Sequence, residues 1–180
     1  KMLRVARRLK QELPLQVKTT LLAAHALPPE FKEDRDAYID LICTELIPRV
    51  AAEGLADFVD VFCETNYFTV AELERVLETG MKHGLPGKVH VNQFTSIGGI
   101  QAAIKHGALS VDHLEVMDSA DLDALAECPI VKLPMPTLLP SCSFFLRIPY
   151  APARALIDRG LPVALASDHN PGSTPSGNLN

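Results

Sequence analysis

The chain contains no apolar run approaching the length of a membrane span, no secretory leader and no C-x-x-C pair. The first absence excludes a spanning helix, which needs about 20 consecutive apolar residues. Cys43, Cys63, Cys128 and Cys142 are widely spaced, so neither a disulfide framework nor structural zinc is expected, and reduced thiols in a cytoplasmic protein are. Cys142, within Pro140-Ser-Cys-Ser-Phe144, reads as a small loop residue without a role. Positive charge is scarce too: the formal net charge of −5 leaves no basic footprint for nucleic acid. The one basic cluster, Lys1–Lys10, carries Met2, Leu3, Ala6 and Leu9 on one helical side. It reads as a solvated amphipathic helix, not as a membrane or targeting segment. No G-x-G-x-x-G turn follows any strand-like run, which removes the dinucleotide-binding fingerprint.

What is present is a globular composition, 47% hydrophobic and 22% charged, in a chain long enough for a sizeable core. It begins at Lys1 and ends just after the turn-rich stretch Asn170–Gly177, so we expect a piece of a longer polypeptide, with residues 1–180 forming a single domain. Strand-like runs fall at Gln16–Ala26, Phe58–Cys63, Lys88–Phe94, Leu109–Leu114, Ile130–Pro134 and Pro162–Ser167. Helix-like segments precede each: Met2–Leu13, Asp36–Glu53, Val70–His83, Gly98–His106, Ser119–Glu127 and Ala151–Arg159. Gly54, Gly84, Gly107 and Gly160 follow four of these helices, where a left-handed cap is needed before the next strand. Strict alternation predicts right-handed βαβ crossovers and a parallel sheet.

Six such units would be three quarters of a (β/α)₈ barrel, which takes about 250 residues when complete. A doubly wound open sheet also accommodates six strands, but it concentrates function at one switch point. Here the chemistry-bearing residues end many strands, and the Gly98-Gly99 pair is too weak to read as a phosphate loop. A partial α/β barrel is therefore the predicted fold class.

Three residues stand out at those strand ends: His90 in Lys88-Val-His-Val-Asn-Gln93, His113 in Ser110-Val-Asp-His-Leu-Glu115, and Asp168 in Ala164-Leu-Ala-Ser-Asp168. Each alone has a plain reading. His90 could be a hydrogen-bonded interior residue, and Asp168 could cap a following helix, with Asn170, Ser173 and Thr174 as rival caps. Delivered together to one barrel mouth, two imidazoles and a carboxylate suit a divalent metal and a water. His25, in Ala23-Ala-His-Ala-Leu27, ends another strand and faces the same mouth in this reading. His83 and His106 fall at helix C-termini, where an imidazolium suits the dipole, and are assigned to structure. His169 points away from Asp168 if the run stays extended, with its role open.

These residues carry a resemblance. The chain resembles the imidazolonepropionase family of the amidohydrolase superfamily, through Ala23-Ala-His-Ala-Leu-Pro28, Asp57–Glu64, His90-Val-Asn-Gln93, Gly98–Glu115 and Ala166–Ser173. The resemblance implies a barrel whose six strands are the third to the eighth, and one zinc or iron ion held by an H-x-H pair, a histidine and an aspartate. His90 and Asp168 would be two of those ligands and His113 a catalytic residue. His25, Gln93, Asn170, Gly172 and Ser173 would bind the substrate. The implied reaction is hydrolysis of the cyclic amide of 4-imidazolone-5-propanoate to N-formimino-L-glutamate in cytoplasmic histidine catabolism. Asp168 or His113 would then carry the proton, since an amide at Gln93 cannot act as a base.

The chain departs from the family in having no H-x-H. Two protein ligands predict poor metal affinity and an inactive isolated piece. Exposed parallel edges would also favour association of copies, so a homo-oligomer stays open. Two rivals remain: another superfamily amidase or deaminase acting on a different ring, and a metal-free segment with a binding or scaffolding role. An H-x-H on a strand encoded upstream of Lys1 would separate them.

Overall fold

The computed structural model describes residues 1–179. The helices are α1 (Met2–Glu12), α2 (Arg35–Leu41), α3 (Ile47–Ala52), α4 (Val70–Lys82), α5 (Gly99–Lys105), α6 (Ser119–Glu127), α7 (Pro140–Leu146) and α8 (Ala153–Asp158). The strands are β1 (Thr20–Ala24), β2 (Phe58–Cys63), β3 (Gly87–Val91), β4 (Ser110–His113), β5 (Met135–Leu138) and β6 (Ala164–Leu165). All six lie in one sheet in sequence order, and each adjacent pair is parallel. A doubly wound sheet reverses its order at a switch point. Uninterrupted order with intervening helices makes this a section of a (β/α)₈ barrel, as the alternation predicts.

The pleat sorts residues between two layers. Val59, Val61, Val89, Val91 and Val111 are fully buried and form the outer face beneath the helices. Approach there is so close that a Cβ on Gly80 of α4 would meet Val59 Cγ2 at 2.5 Å, and one on Gly99 of α5 would meet Val91 Cγ2 at 2.5 Å. The alternate residues Asp60, Phe62, Lys88, His90 and Asp112 form the inner face, where Lys88 Nζ lies 3.1 Å from Asp112 Oδ2. This inner polar row is what brings chemistry to the strand ends.

Helix starts are chemically defined. Thr69 and Glu72 make a capping box on α4, and Asp118 and Asp121 make another on α6, satisfying first-turn N–H groups. The four predicted cap glycines all have positive φ, at 59°, 74°, 64° and 75°.

The predicted strands Gln16–Ala26 and Pro162–Ser167 shorten to β1 and β6, and three further stretches differ from expectation in kind. The predicted strand Ile130–Pro134 is a turn, closed by Lys132 N–H donating to Pro129 O at 2.7 Å, with Ile130 and Val131 exposed. The strand lies instead at Met135–Leu138, although it contains Pro136. Met135 N–H makes the bond to β4, so the missing donor of Pro136 points toward β6, where pairing starts only at Thr137. The predicted helix Asp36–Glu53 is broken by a π-helical segment, Ile42–Leu46, ahead of Pro48. Proline cannot donate into the preceding turn, and the wider turn absorbs that loss. Lastly, the presumed loop at Pro140–Phe144 is part of α7, with Pro140 in the first turn, where its lost N–H is harmless.

Candidate active site at the strand ends

One cavity of about 1040 Å³ opens at the C-terminal ends of the strands. His25, His90, Gln93, His113, Asp168, Asn170, Gly172 and Ser173 all line it, so every residue singled out in the sequence comes to one space. Phe62 of β2 occupies its centre: its ring stacks on His25 at 5.4 Å and lies 6.5 Å from the rings of both His90 and His113. The first turn of α1 also borders the cavity, through Lys1, Met2 and Leu3.

His90 sits on the inner face of β3, in register with Phe62 on one side and Asp112 on the other. Its Nδ1 lies 2.9 Å from Asp60 Oδ2, and its backbone N–H donates to Asp60 Oδ1 at 3.2 Å. Burial disfavours the charged ring, but the Asp60 carboxylate, together with those of Asp112 and Asp168, outweighs it and raises the His90 pKa. With Nδ1 turned to Asp60, Nε2 is the ring atom left for an ion or a substrate.

His113 reaches the cavity by another route. Strict alternation from Asp112 would turn it outward, on the same face as its register partner Val91. Its backbone instead has φ 88°, followed by Leu114 at 69°, and the side chain comes to lie 5.3 Å from the His90 ring. Non-glycine residues with positive φ are strained, and they persist where surrounding structure imposes them, commonly at functional sites. Asn92, at φ 56°, is held the same way: its side-chain amide donates to Val116 O and Asp121 Oδ2.

Asp168 follows β6 and is also left-handed, at φ 52°. It caps no helix among the described residues. Asn170 builds the loop beyond it, donating to Asp168 O at 2.7 Å and to Ser173 Oγ, and accepting from the backbone of Gly172 and Ser173. Ser173 Oγ in turn donates to Asp168 Oδ2 at 3.3 Å. His169 Nδ1 lies 3.2 Å from Thr174 O, which gives it a role in closing this loop.

His25 is kept toward its neutral form, first by burial and then by the nearby His90. Gln93 is buried and donates to Cys142 Sγ at 3.5 Å, so Cys142, assigned no role from the sequence, supports the cavity wall from α7. Burial pushes its thiol up to about 11. His83 and His106 end α4 and α5 as expected.

Two groups of ligand-type side chains bring donor atoms within 4.8 Å of one another among the described residues: Asp60 with His90 and Asp112, and His113 with Glu115 and Cys142. Neither contains Asp168. His90 and Asp168 both line the cavity, and among the described residues no ligand-type group brings a third donor together with this pair, one short of the roughly three protein ligands a catalytic zinc site uses. Asp60, Phe62 and Glu115 are site residues that the sequence reading missed. Asp60 carried a signal, a carboxylate two residues from Phe62 in an otherwise apolar strand; Glu115 stood two residues after His113.

No family model matches the chain. Among curated proteins, the imidazolonepropionase of Christiangramia forsetii is 54% identical over all 180 residues, which cover 43% of that protein. That of Shouchella clausii is 46% identical over 179 residues, 99% of this chain and 39% of the relative. The chain thus spans well under half the length of the curated relatives it matches. Among solved structures, 5-methylcytosine deaminase from Klebsiella pneumoniae with 5-fluorocytosine superposes with a TM-score of 0.69 at 15% identity, over 98% of this chain and 47% of that one. An adenosine deaminase from Xanthomonas campestris with bound zinc gives 0.63 at 16% identity, over 97% of this chain and 41% of that one. These two likenesses establish the barrel architecture.

Proposed function

We propose that the polypeptide carrying this chain is an imidazolonepropionase, which opens the cyclic amide of 4-imidazolone-5-propanoate with water to give N-formimino-L-glutamate. The observation that supports the reading is joint: 54% identity along the whole chain to such an enzyme, and one cavity lined by His25, His90, Gln93, His113, Asp168 and Asn170. Residues 1–180 are then one partial barrel domain of a cytoplasmic enzyme of histidine catabolism, with a small molecule as its partner and self-association as a homo-oligomer.

His90 Nε2 and Asp168, together with donors from outside these residues, would hold a divalent ion, zinc or iron, whose chemistry when bound would be to acidify a water and polarise the carbonyl. Asp168 takes the proton of the attacking water and passes it to the ring nitrogen as the C–N bond breaks. His113 Nε2–H donates to the oxyanion that forms on the carbonyl oxygen. His25 and the Gln93 amide hydrogen-bond the imidazolone and its carboxylate, while the loop built by Asn170, Gly172 and Ser173 closes the product side. Phe62 supplies an apolar floor that strengthens these contacts by excluding water.

The test is a chimera in which residues 1–180 replace the matching stretch of the Christiangramia forsetii enzyme. Consumption of 4-imidazolone-5-propanoate at a rate near that of the parent is expected. A chimera that folds and binds metal yet leaves this substrate untouched overturns the reading.

A further inference from the structure

Behind His113 lies a second buried carboxylate that the proposed reaction does not use. Glu115 is 6% exposed, and its Oε2 is 3.5 Å from His113 Nδ1. Both atoms are buried and neither has a hydrogen-bond partner among the described residues. A buried donor and a buried acceptor left unpaired are each costly, so a small closure that joins them relieves both at once. The other oxygen is already fixed, because Ser143 Oγ of α7 donates to Glu115 Oε1 at 2.8 Å inside a fully buried contact.

We propose that Glu115 is the positioning residue of His113, accepting the ring's Nδ1–H and so dictating that Nε2 faces the cavity. The inference rests on the reading of His113 as the group at the oxyanion. Nε2 is then the ring atom that faces the oxyanion, and the whole unit is anchored through Ser143 to α7. Two elements far apart in sequence, the β4 end and α7, thereby set the chemistry of one imidazole.

The experiment reads the tautomer directly, by long-range ¹H–¹⁵N correlation of histidine rings in the full-length chimera described above at alkaline pH, with His113 assigned through His113→Gln. In the unaltered chain His113 Nδ1 is expected to resonate as a pyrrole-type nitrogen and Nε2 as a pyridine-type one. In Glu115→Gln the amide oxygen stays on the Ser143 hydroxyl, the NH₂ faces Nδ1, and the pattern inverts. Adding Ser143→Ala frees the amide to turn its oxygen toward the ring, and the original pattern returns. A pyridine-type Nδ1 in the unaltered chain overturns the proposal without any variant having to fold, and so does a Glu115→Gln chain whose pattern does not change. No turnover is measured, so failure of the hydrolase reading leaves this result standing, and the reverse holds as well.

Discussion

Val91 and His113 are register partners across β3 and β4, yet their side chains leave the sheet on opposite sides. Val91 packs under Gly99 of α5, while His113 turns into the cavity beside His90. The left-handed backbone at His113 makes that difference, and it places two imidazoles against each other at the mouth of adjacent strands.

This arrangement predicts separable effects at the two central groups, measured in the chimera described above. Asp168→Asn should lose both metal and essentially all turnover, because Asp168 is read as ligand and proton shuttle. His113→Ala should keep the metal and lower kcat by about 10²–10³-fold, as for loss of one preorganised donor. Metal analysis showing the ion gone in His113→Ala would make His113 a ligand and require a different mechanism.

Metal content should also distinguish the chain from the chimera. The 180-residue chain offers His90 and Asp168 and should hold zinc or iron well below one ion per molecule, whereas the chimera should hold about one, given that catalytic sites use roughly three protein ligands. Elemental analysis after dialysis decides it. Stoichiometric metal in the short chain would show that the ligand set is wrong.

The seat of α4 on the sheet should tolerate no added methyl. A Cβ at Gly80 would come 2.5 Å from Val59 Cγ2 and 2.7 Å from the backbone oxygen of Leu85, and the carbonyl cannot move aside as a side chain can. Overpacking of this kind costs about 1–3 kcal/mol, while alanine regains up to about 1 kcal/mol of helix propensity. Gly80→Ala should therefore lower the urea midpoint; an unchanged or raised midpoint would mean that the helix can lift from the strand.

Acid should loosen the start of α4. Burial raises the pKa of Glu72, but Arg35 Nε at 2.5 Å and the hydrogen bonds from Thr69 outweigh it and hold the carboxyl below its ordinary 4.5. A depressed folded pKa contributes stability above the unfolded value that is lost as pH falls through the folded one. Stability should thus decline below about pH 4.5, and Glu72→Gln should be less stable at neutral pH with a shallower decline in acid. Parallel curves for the two proteins would remove Glu72 from the account.

Much of this molecule is written locally. Period-two apolar runs ending at His90, His113 and Asp168, helices closed by Gly54, Gly84, Gly107 and Gly160, and the alternation between them specify a parallel barrel section with those residues at one end. Where local signals conflicted, the tertiary structure chose. The run at Ile130 and Val131 is apolar enough for a strand but is left exposed in a turn, and Met135–Leu138 pairs in its place, with Met135 N–H donating to Leu109 O just ahead of β4. The facing of His113 belongs wholly to the tertiary structure. Histidine has no intrinsic preference strong enough to hold φ 88°, so the packed surroundings must impose it. The bond from Ser143 to Glu115 likewise arises only when the end of β4 and α7 are brought together, since buried polar groups take partners that no short window of sequence contains.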